Sequence, residues 1–337
     1  MKTTVVGSYP IPHWLAQART REALRDAVLA VLKTQENAGI DVICDGELMR
    51  FDVNHPETNG MIDYFLRPMG GVDLHPTRQD IVDFRSSEVG DYRREPAAVL
   101  RGPLEEGGLN LVADWEFVRE LTDRPMKFTC TGPHMLAKVV MDRHYGDSAE
   151  LASRIADILQ TQVAAIDADV IQLDEANITG RPTEAPWAAK AINKVLAGAG
   201  KATAAGRSER AVHMCFGNYG GQTIQKGHWS QLVDFLNALQ VDHVVLECAR
   251  RPAAELQALA AIRPEIGLGI GVIDIKDNRI ETADEIAATI DTVANAVGGA
   301  ERIHYVHPDC GFWMLHRNVA DRKMAALVAG RDRFLGN

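Results

Sequence analysis

The chain has 337 residues, of which 46% are apolar and 24% are charged, as in an ordinary globular protein. Its 46 acidic residues outnumber its 36 Lys and Arg residues and give a formal net charge of −10, which disfavours nucleic acid and anionic membranes as partners. No apolar run approaches the roughly 18 residues of a membrane span, the N-terminus lacks the pattern of a signal peptide, and the five cysteines are widely spaced. We therefore expect a cytoplasmic protein with reduced thiols.

Eight short runs rich in valine and isoleucine recur along the chain, and most are followed by a segment with helical spacing. The runs have the length and composition of strands that are buried on both faces of a parallel sheet. The helical segment 283–296 opens with the capping-box pattern of Thr282 and Glu285, and segments 23–37 and 319–328 also have helical spacing. The predicted strands are 4–7, 41–44, 127–131, 170–173, 211–215, 243–246, 267–273 and 303–307.

This alternation predicts an α/β fold, a (β/α)8 TIM barrel, in a single domain over residues 1–337. The main departure is a long insertion after the second strand, at about residues 50–125, which is rich in Gly, Pro, Arg and Asp. We interpret the insertion as part of the wall of the active site, with a hairpin near residues 71–100. The alternative interpretation is that the insertion lies at the periphery of the barrel and does not line the active site.

Four residues with metal-binding side chains end or follow predicted strands. His213 and Cys215 are two positions apart on the fifth strand, so their side chains point to the same side. Glu247 ends the sixth strand and Cys310 follows the eighth, and in a barrel these strand ends meet at one face. Together they form a complete tetrahedral shell for Zn²⁺, although each residue taken alone is more often part of a core. Such a thiolate-rich shell favours alkyl transfer to a sulfur over the activation of water.

At these residues the chain resembles cobalamin-independent methionine synthase, in its C-terminal catalytic barrel. The likeness runs from Gly7 to Gly311 and indicates the short, single-barrel form of that family. The shared motifs are Val6-Gly7-Ser8-Tyr9-Pro10, Asp45-Gly46-Glu47, Asp63-Tyr64-Phe65, Gly132-Pro133, Ile171-Gln172-Leu173-Asp174-Glu175, His213-x-Cys215, Glu247 and Pro308-Asp309-Cys310-Gly311.

The resemblance implies both a metal site and a site for a thiol substrate. The implied zinc ligands are His213, Cys215, Glu247 and Cys310. Homocysteine would bind through its sulfur, and carboxylates near its ammonium group and N–H or hydroxyl donors near its carboxylate would hold the amino-acid end. The residues implied for this role are Gly7, Ser8, Glu47 and Asp174.

The methyl-donor side of the family's site is less well matched. Val139 stands where the family has a folate-stacking tryptophan, Gly180 where it has a pterin-contacting glutamate, and Lys276 where it has a proton-donating histidine. An Arg-Cys pair of the family has no clear match around Tyr92-Arg93-Arg94-Glu95. We expect the donor to be either methyltetrahydrofolate, with Lys276 as the candidate proton donor, or a methylcorrinoid or its carrier protein. Whether the reaction needs an accessory protein stays open.

The residues expected at the barrel mouth are His134, Trp313 and His316.

Other functions stay open beside this one. Alkyl transfer to a different thiol, as in epoxide:coenzyme M transferases, would leave Glu47 and Asp174 without an ammonium group to bind. A zinc-binding partner protein without turnover would not need the full substrate shell. A relative of porphyrinogen decarboxylase would share the barrel and would not need the two zinc cysteines.

Overall fold

The computed structural model describes residues 1–18, 20–52, 54–55, 58–87, 93–200, 202–203, 206–218 and 222–336. The strands are β1 (Lys2–Thr3), β2 (Gly70–Asp73), β3 (Ala98–Glu105), β4 (Lys127–Thr131), β5 (Val140–Asp142), β6 (Val170–Asp174), β7 (Ala202–Thr203), β8 (Gly206–Arg207), β9 (Glu209–Met214), β10 (His243–Leu246), β11 (Gly267–Ile273) and β12 (Ile303–Pro308). The α-helices are α1 (His13–Gln17), α2 (Arg21–Ala38), α3 (Asp63–Leu66), α4 (Arg78–Arg85), α5 (Leu111–Arg119), α6 (Pro133–Lys138), α7 (Ser148–Val163), α8 (Ala185–Leu196), α9 (Val233–Ala238), α10 (Ala253–Leu256), α11 (Ala283–Val297) and α12 (Arg317–Leu335).

The centre of the fold is a curled parallel sheet with helices packed against it. Its strands run in the order β1-β12-β11-β10-β9-β6-β4, and every neighbouring pair is parallel. This confirms the predicted α/β class. The last six predicted strands coincide with β4, β6, β9, β10, β11 and β12 to within two residues, because apolar runs that are buried on both faces leave little choice of boundary.

The first two predicted strands, 4–7 and 41–44, do not form continuous ladders. Only Lys2–Thr3 forms a ladder at the start of the chain, and the predicted strand 41–44 contributes two isolated parallel bridges. One bridge joins Thr4 to Val42 and the other joins Ile43 to Met126, which immediately precedes β4. Side chains take the place of a continued ladder, because the Thr3 N–H donates to the Asp41 carboxylate and the Cys44 N–H donates to the Gln35 side-chain oxygen.

Helix ends follow from local chemistry. Thr20 caps α2 by accepting from the Ala23 N–H, and Gly39, at a φ of 84°, ends it in the left-handed conformation. The predicted capping box of Thr282 and Glu285 opens α11. Helix α12 is longer than the predicted segment 319–328 and runs on past Gly330.

The segment of residues 50–125 contains α3, β2, α4, β3 and α5. Strands β2 and β3 pair antiparallel, and β3 pairs parallel with β5 to make a separate three-stranded sheet. The hairpin expected near residues 71–100 is therefore present as an antiparallel strand pair, and α4 lies in the connection between its strands. Buried Asp80 at the start of α4 binds both Arg101 and Arg143 and so ties the helix to this sheet.

The apolar core has two parts. A small cluster lies within the curl of the parallel sheet, and a larger one fills the space between the strands and the surrounding helices. In the part of the chain that the structure describes, no helix combines the length and the apolar character needed to cross a membrane. The small cluster consists of Val6, Val42, Val170, Ala211, Val245 and Tyr305.

Candidate metal and thiol site

Three of the four predicted metal ligands meet at the carboxyl edge of the parallel sheet. His213 lies near the end of β9, Cys215 follows β9, and Cys310 follows β12. Their ligand atoms all lie within 4.8 Å of one another, and the Cys215 and Cys310 sulfurs are 3.7 Å apart. Both thiols are free, and this separation is far longer than a disulfide bond.

The donor set of these three residues fits a soft metal ion such as zinc. The Nδ1 atom of His213 lies 3.2 Å from the Val245 carbonyl and donates to it, while its buried Nε2 has no hydrogen-bond partner among the described residues. This is the arrangement in which a second contact orients a ligating imidazole. A hydrogen bond from Cys310, with His213 close by, holds the pKa of Cys215 well below its usual value, and the Cys215 sulfur in turn raises the pKa of Cys310.

Glu247, the fourth predicted ligand, lies outside the three-residue group that the described residues form. Its Oε2 accepts from the Phe216 N–H at 3.1 Å and from Lys276 Nζ at 3.3 Å, and its Oε1 lies 3.5 Å from Arg251 Nη2. Two cations therefore neutralise this buried carboxylate. Lys276, the candidate proton donor, is 3% exposed at its side chain and is not among the residues that line the cavity next to the site.

One cavity joins the three clustered ligands to most of the residues implied to bind homocysteine. Ser8, Glu47 and Asp174 line it together with His213 and Cys310. Gly7 contributes space, because a Cβ at this position would lie 2.2 Å from Glu47 Oε1. The complete lining is Val6, Ser8, Glu47, Asn59, Met61, Ile62, Arg93, Met135, Asp174, Ala176, Asn177, His213, Cys215, Gly217, Asn218, Ile224, Cys310, Gly311 and Trp313.

Glu47 is held in an uncommon conformation. Its φ of 59° is the one positive value among the non-glycine residues that the structure describes. The Asp45 carboxylate accepts from the Glu47 N–H at 2.9 Å, and the Glu47 side chain bonds to the Thr129 hydroxyl at 2.8 Å and to Arg50 at 3.3 Å. Backbone strain of this kind persists where neighbours fix the residue, and it is common at functional sites.

Asp174 ends β6 and is buried. Burial, with the Glu47 carboxylate nearby, raises its pKa to about 7, against the opposing effects of His213 and Arg50. Gln172 donates to Asp174 Oδ1 at 2.8 Å, and Lys127 fixes that amide by donating to its oxygen at 2.7 Å. The cavity thus presents two acidic side chains on one side, which suits a substrate with an ammonium group.

Several lining residues had no signal in the sequence. Asn59, Arg93 and Asn218 lie in loops and Asn177 lies in a single 3-10 turn, where no periodic pattern indicates the direction of a side chain. Of the residues expected at the mouth, Trp313 lines the cavity and is 42% exposed. His316 is exposed and is not a lining residue.

Two other positions on the expected donor side are buried. His134 is fully buried between Glu175 and Glu184, so its expected place at the mouth is wrong. The Glu184 carboxylate, 2.7 Å from His134 Nε2, gives the buried ring a polar partner. Val139 also lies in the core and does not line the cavity.

The fold and the site together define a class: α/β proteins whose parallel sheet presents an imidazole, two thiols and two carboxylates to a single cavity. Within that class the chain belongs to the cobalamin-independent methionine synthase family. The family model described as "Cobalamin-independent synthase, Catalytic domain" matches residues 1–330.

Individual relatives agree with this membership. The methionine synthase of Thermococcus kodakarensis is 30% identical over 347 residues, covering 98% of this chain and 92% of that protein. The methionine synthases of Pyrococcus horikoshii and Saccharolobus islandicus are each 28% identical and cover 98% of this chain, and 92% and 93% of their own lengths. A solved structure of a B12-independent methionine synthase from Shewanella sp. W3-18-1, in complex with selenomethionine, has the same fold, with a TM-score of 0.77, 24% identity, and coverage of 100% of this chain and 99% of that one.

Proposed function

We propose that this protein is a zinc-dependent methyltransferase that methylates the sulfur of L-homocysteine and so forms methionine. The observation that carries the proposal is that the His213, Cys215 and Cys310 cluster opens onto the same cavity as Glu47 and Asp174. A soft metal site beside two carboxylates suits a substrate that has both a thiol and an ammonium group.

Each group of residues has a distinct task in this reaction. When bound, zinc would supply the positive charge that lowers the pKa of the substrate thiol. Glu47 and Asp174 bind the ammonium group, and the Ser8 hydroxyl and the backbone at Gly7 bind the carboxylate. Arg50 holds Glu47 in place through the 3.3 Å ion pair. Fixing the amino-acid end in this way aligns the sulfur for in-line attack on the methyl group.

Glu247 completes the proposed zinc shell as the fourth ligand. Its carboxylate accepts from the N–H of Phe216, the residue that follows Cys215, and its ion pairs with Lys276 and Arg251 would hold it for this role. Lys276 is the proposed proton donor if the methyl donor is methyltetrahydrofolate, whose nitrogen must be protonated to leave.

Two methyl donors stay in the proposal: methyltetrahydrofolate and a methylcorrinoid or its carrier protein, with or without an accessory protein. Trp313 offers an exposed aromatic face at the cavity for a flat donor. Asn177 and Asn218 add amide groups to the lining. These contacts suit the ring system of either donor, so the donor must be identified by assay.

We also propose that the sheet closes as a full (β/α)8 barrel in a single domain, 1–337. The bridges of Thr4 with Val42 and of Ile43 with Met126 support closure, since they connect the two edge strands through the predicted second strand. The insertion, residues 50–125, forms part of the cavity wall in this proposal. Its lining residues are Asn59, Met61, Ile62 and Arg93. The cytoplasmic location stays a prediction.

The test measures metal, thiol binding and turnover separately. We expect about one zinc per chain, and loss of zinc in the Cys310→Ala variant, because a tetrahedral site with two thiolates depends on both. Homocysteine added to the zinc protein should release about one proton as its thiol ionises. A panel of methyltetrahydrofolate, methylcobalamin and a methylated corrinoid protein, assayed for methionine, identifies the donor.

Three results would contradict the proposal. Full activity without metal would exclude the zinc site. Binding of another thiol but not of homocysteine would favour the alternative that this protein transfers an alkyl group to a different small thiol. Zinc and homocysteine binding without methionine formation from any of the donors would favour a binding protein without turnover.

A further inference from the structure

Asp309 occupies a buried position directly before Cys310. It is 1% exposed and follows β12. Its N–H donates to the carbonyl of Ile273, at the end of β11, at 2.9 Å. The backbone of this residue is therefore fixed to the neighbouring strand at the point where the chain enters the proposed metal site.

The side chain of Asp309 reaches past that neighbour to the next strand. Its Oδ1 accepts from the N–H groups of Cys248 and Ala249 at 2.9 and 3.0 Å, and these are the two residues that follow Glu247. In the sheet β11 lies between β12 and β10. One carboxylate oxygen thus connects the strand end that carries Cys310 to the strand end that carries Glu247.

The intervening strand is shaped for this contact. Gly271 lies on β11 beneath the carboxylate, and a Cβ at this position would lie 2.1 Å from Asp309 Oδ1 and 2.9 Å from the Asp309 Cα. Any larger residue would displace the carboxylate or the backbone that leads to Cys310. The glycine is an independent observation in favour of the same contact.

We propose that Asp309 is a positioning residue that sets the separation between Cys310 and Glu247 and, through Glu247, the shape of the metal site. The inference rests on the zinc site proposed above. A side-chain oxygen that accepts from two successive N–H groups fixes the turn that carries them, because both donors are satisfied by the same atom. Residues that orient metal ligands in this way typically change metal affinity by about 10–100-fold when they are replaced.

The experiment measures affinity for Zn²⁺ by chelator competition, and the visible absorption of the Co²⁺-loaded protein, in a set of variants. We expect Asp309→Ala to weaken zinc binding by about 10–100-fold and to change the Co²⁺ bands that report ligand geometry. Asp309→Asn keeps an acceptor oxygen for the two N–H groups, so it should retain most of the affinity. Gly271→Ala should reproduce the effect of Asp309→Ala without altering Asp309.

A double-mutant cycle separates action through Glu247 from general damage. Glu247→Ala should weaken zinc binding, and adding Asp309→Ala to it should cause little further loss. Asp169→Ala is the matched control, since the Asp169 carboxylate also accepts an N–H, that of Met126 at 2.8 Å, before the first residue of β4. We expect this control to lower stability towards urea and to leave the Co²⁺ spectrum unchanged.

Two outcomes would overturn the inference while leaving the proposed zinc site intact. One is a pattern in which Asp309→Ala behaves like Asp169→Ala, with lower stability but normal zinc affinity and Co²⁺ spectrum. The other is a loss of affinity from Asp309→Ala that is equally large in the wild-type and Glu247→Ala backgrounds. A wild-type protein that binds neither metal would instead overturn the proposed zinc site, and with it this inference.

Discussion

At the scale of single residues, two glycines leave the space that polar side chains of the site occupy. Gly7 leaves room for the Glu47 carboxylate, and Gly311 leaves room for the Ser8 hydroxyl, since a Cβ there would lie 1.9 Å from the Ser8 Oγ. Each glycine is adjacent to or part of a motif that the sequence shows, but its partner lies far away in the chain. The glycines are therefore best understood as space for specific side chains.

Gly7→Ala tests the role of Glu47 without changing Glu47. The new Cβ would lie 2.2 Å from Glu47 Oε1, so the carboxylate must move away from its present position. We expect the KM for homocysteine to rise by about tenfold or more, which corresponds to about 1.4 kcal/mol, with zinc content unchanged. Steady-state kinetics and metal analysis provide the measurement.

The control for this variant is Gly102→Ala in β3. Apart from its own chain neighbours, no described residue has an atom within 4 Å of a Cβ at Gly102, so this change should leave the KM as it is. An unaltered KM in Gly7→Ala would show that Glu47 does not bind homocysteine where we place it.

At the scale of elements, α12 anchors the loop that follows β11. Lys323 on this helix is fully buried and donates to the Glu281 carboxylate at 2.8 Å and to the carbonyls of Asp274 and Arg279 at 2.9 and 2.6 Å. Lys276 lies in the same loop. The position of the ammonium group beside Glu247 therefore depends on a helix distant from it in sequence.

Lys323→Met should lower the free energy of unfolding by about 3–5 kcal/mol, because it leaves the Glu281 carboxylate in a buried place without its cation. Arg333→Ala on the same helix is the matched control. Its ion pair with Asp284 has side chains 65% and 78% exposed, so its loss should cost less than about 1 kcal/mol. Urea unfolding of both variants measures the difference, and equal effects would argue against the anchoring role of Lys323.

The length of α12 shows where reasoning from sequence stops. The predicted segment 319–328 ended before Gly330, a residue that disfavours helix. In the structure Gly330 is buried against α11, and a Cβ there would lie 2.3 Å from Ile286 Cγ2. Close packing of two helices outweighs the local propensity, and the sequence contains no sign of that packing partner.

At the scale of the whole molecule, a buried charged cluster connects successive β/α units. The His134 ring on α6 lies 2.7 Å from Glu184, which immediately precedes α8, and near Glu175, which follows β6. Burial alone would lower the pKa of His134, but these two carboxylates outweigh it and raise the pKa. Burial alone would raise the pKa of Glu184, but hydrogen bonds from His134 and Lys138 outweigh it and lower the pKa to about 2.

These shifts predict a pH window for stability. The contribution of Glu184 is present above its ordinary pKa of 4.5 and is lost as the pH falls towards 2, while that of His134 is present below 6.5 and is lost as the pH rises through its raised pKa. Between pH 4.5 and 6.5, Glu184→Gln should lower the free energy of unfolding by up to about 3 kcal/mol. The variant should also lose less of its free energy of unfolding than the wild type as the pH falls below 4.5. Urea unfolding across the pH range tests this, and an equally steep acid decline in the variant would contradict it.

The sequence by itself determined the family, the α/β class, the last six strands, and the convergence of the His213 and Cys215 side chains. These follow from periodicity and from motifs, which are local properties of the chain. It also identified the residue types that suit zinc and a thiol amino acid, although their roles stay predictions.

Only the tertiary structure decided how those residues meet. It brings His213, Cys215 and Cys310 together, places the Glu247 carboxylate between Lys276 and Arg251, and connects the residue before Cys310 to the residue after Glu247 through the Asp309 carboxyl group. Two of these relations join residues far apart in the chain, since Cys215 and Cys310 are separated by 95 residues and Cys248 and Asp309 by 61. Their geometry depends on which side chains pack between the strands, and no local pattern in the sequence carries that information.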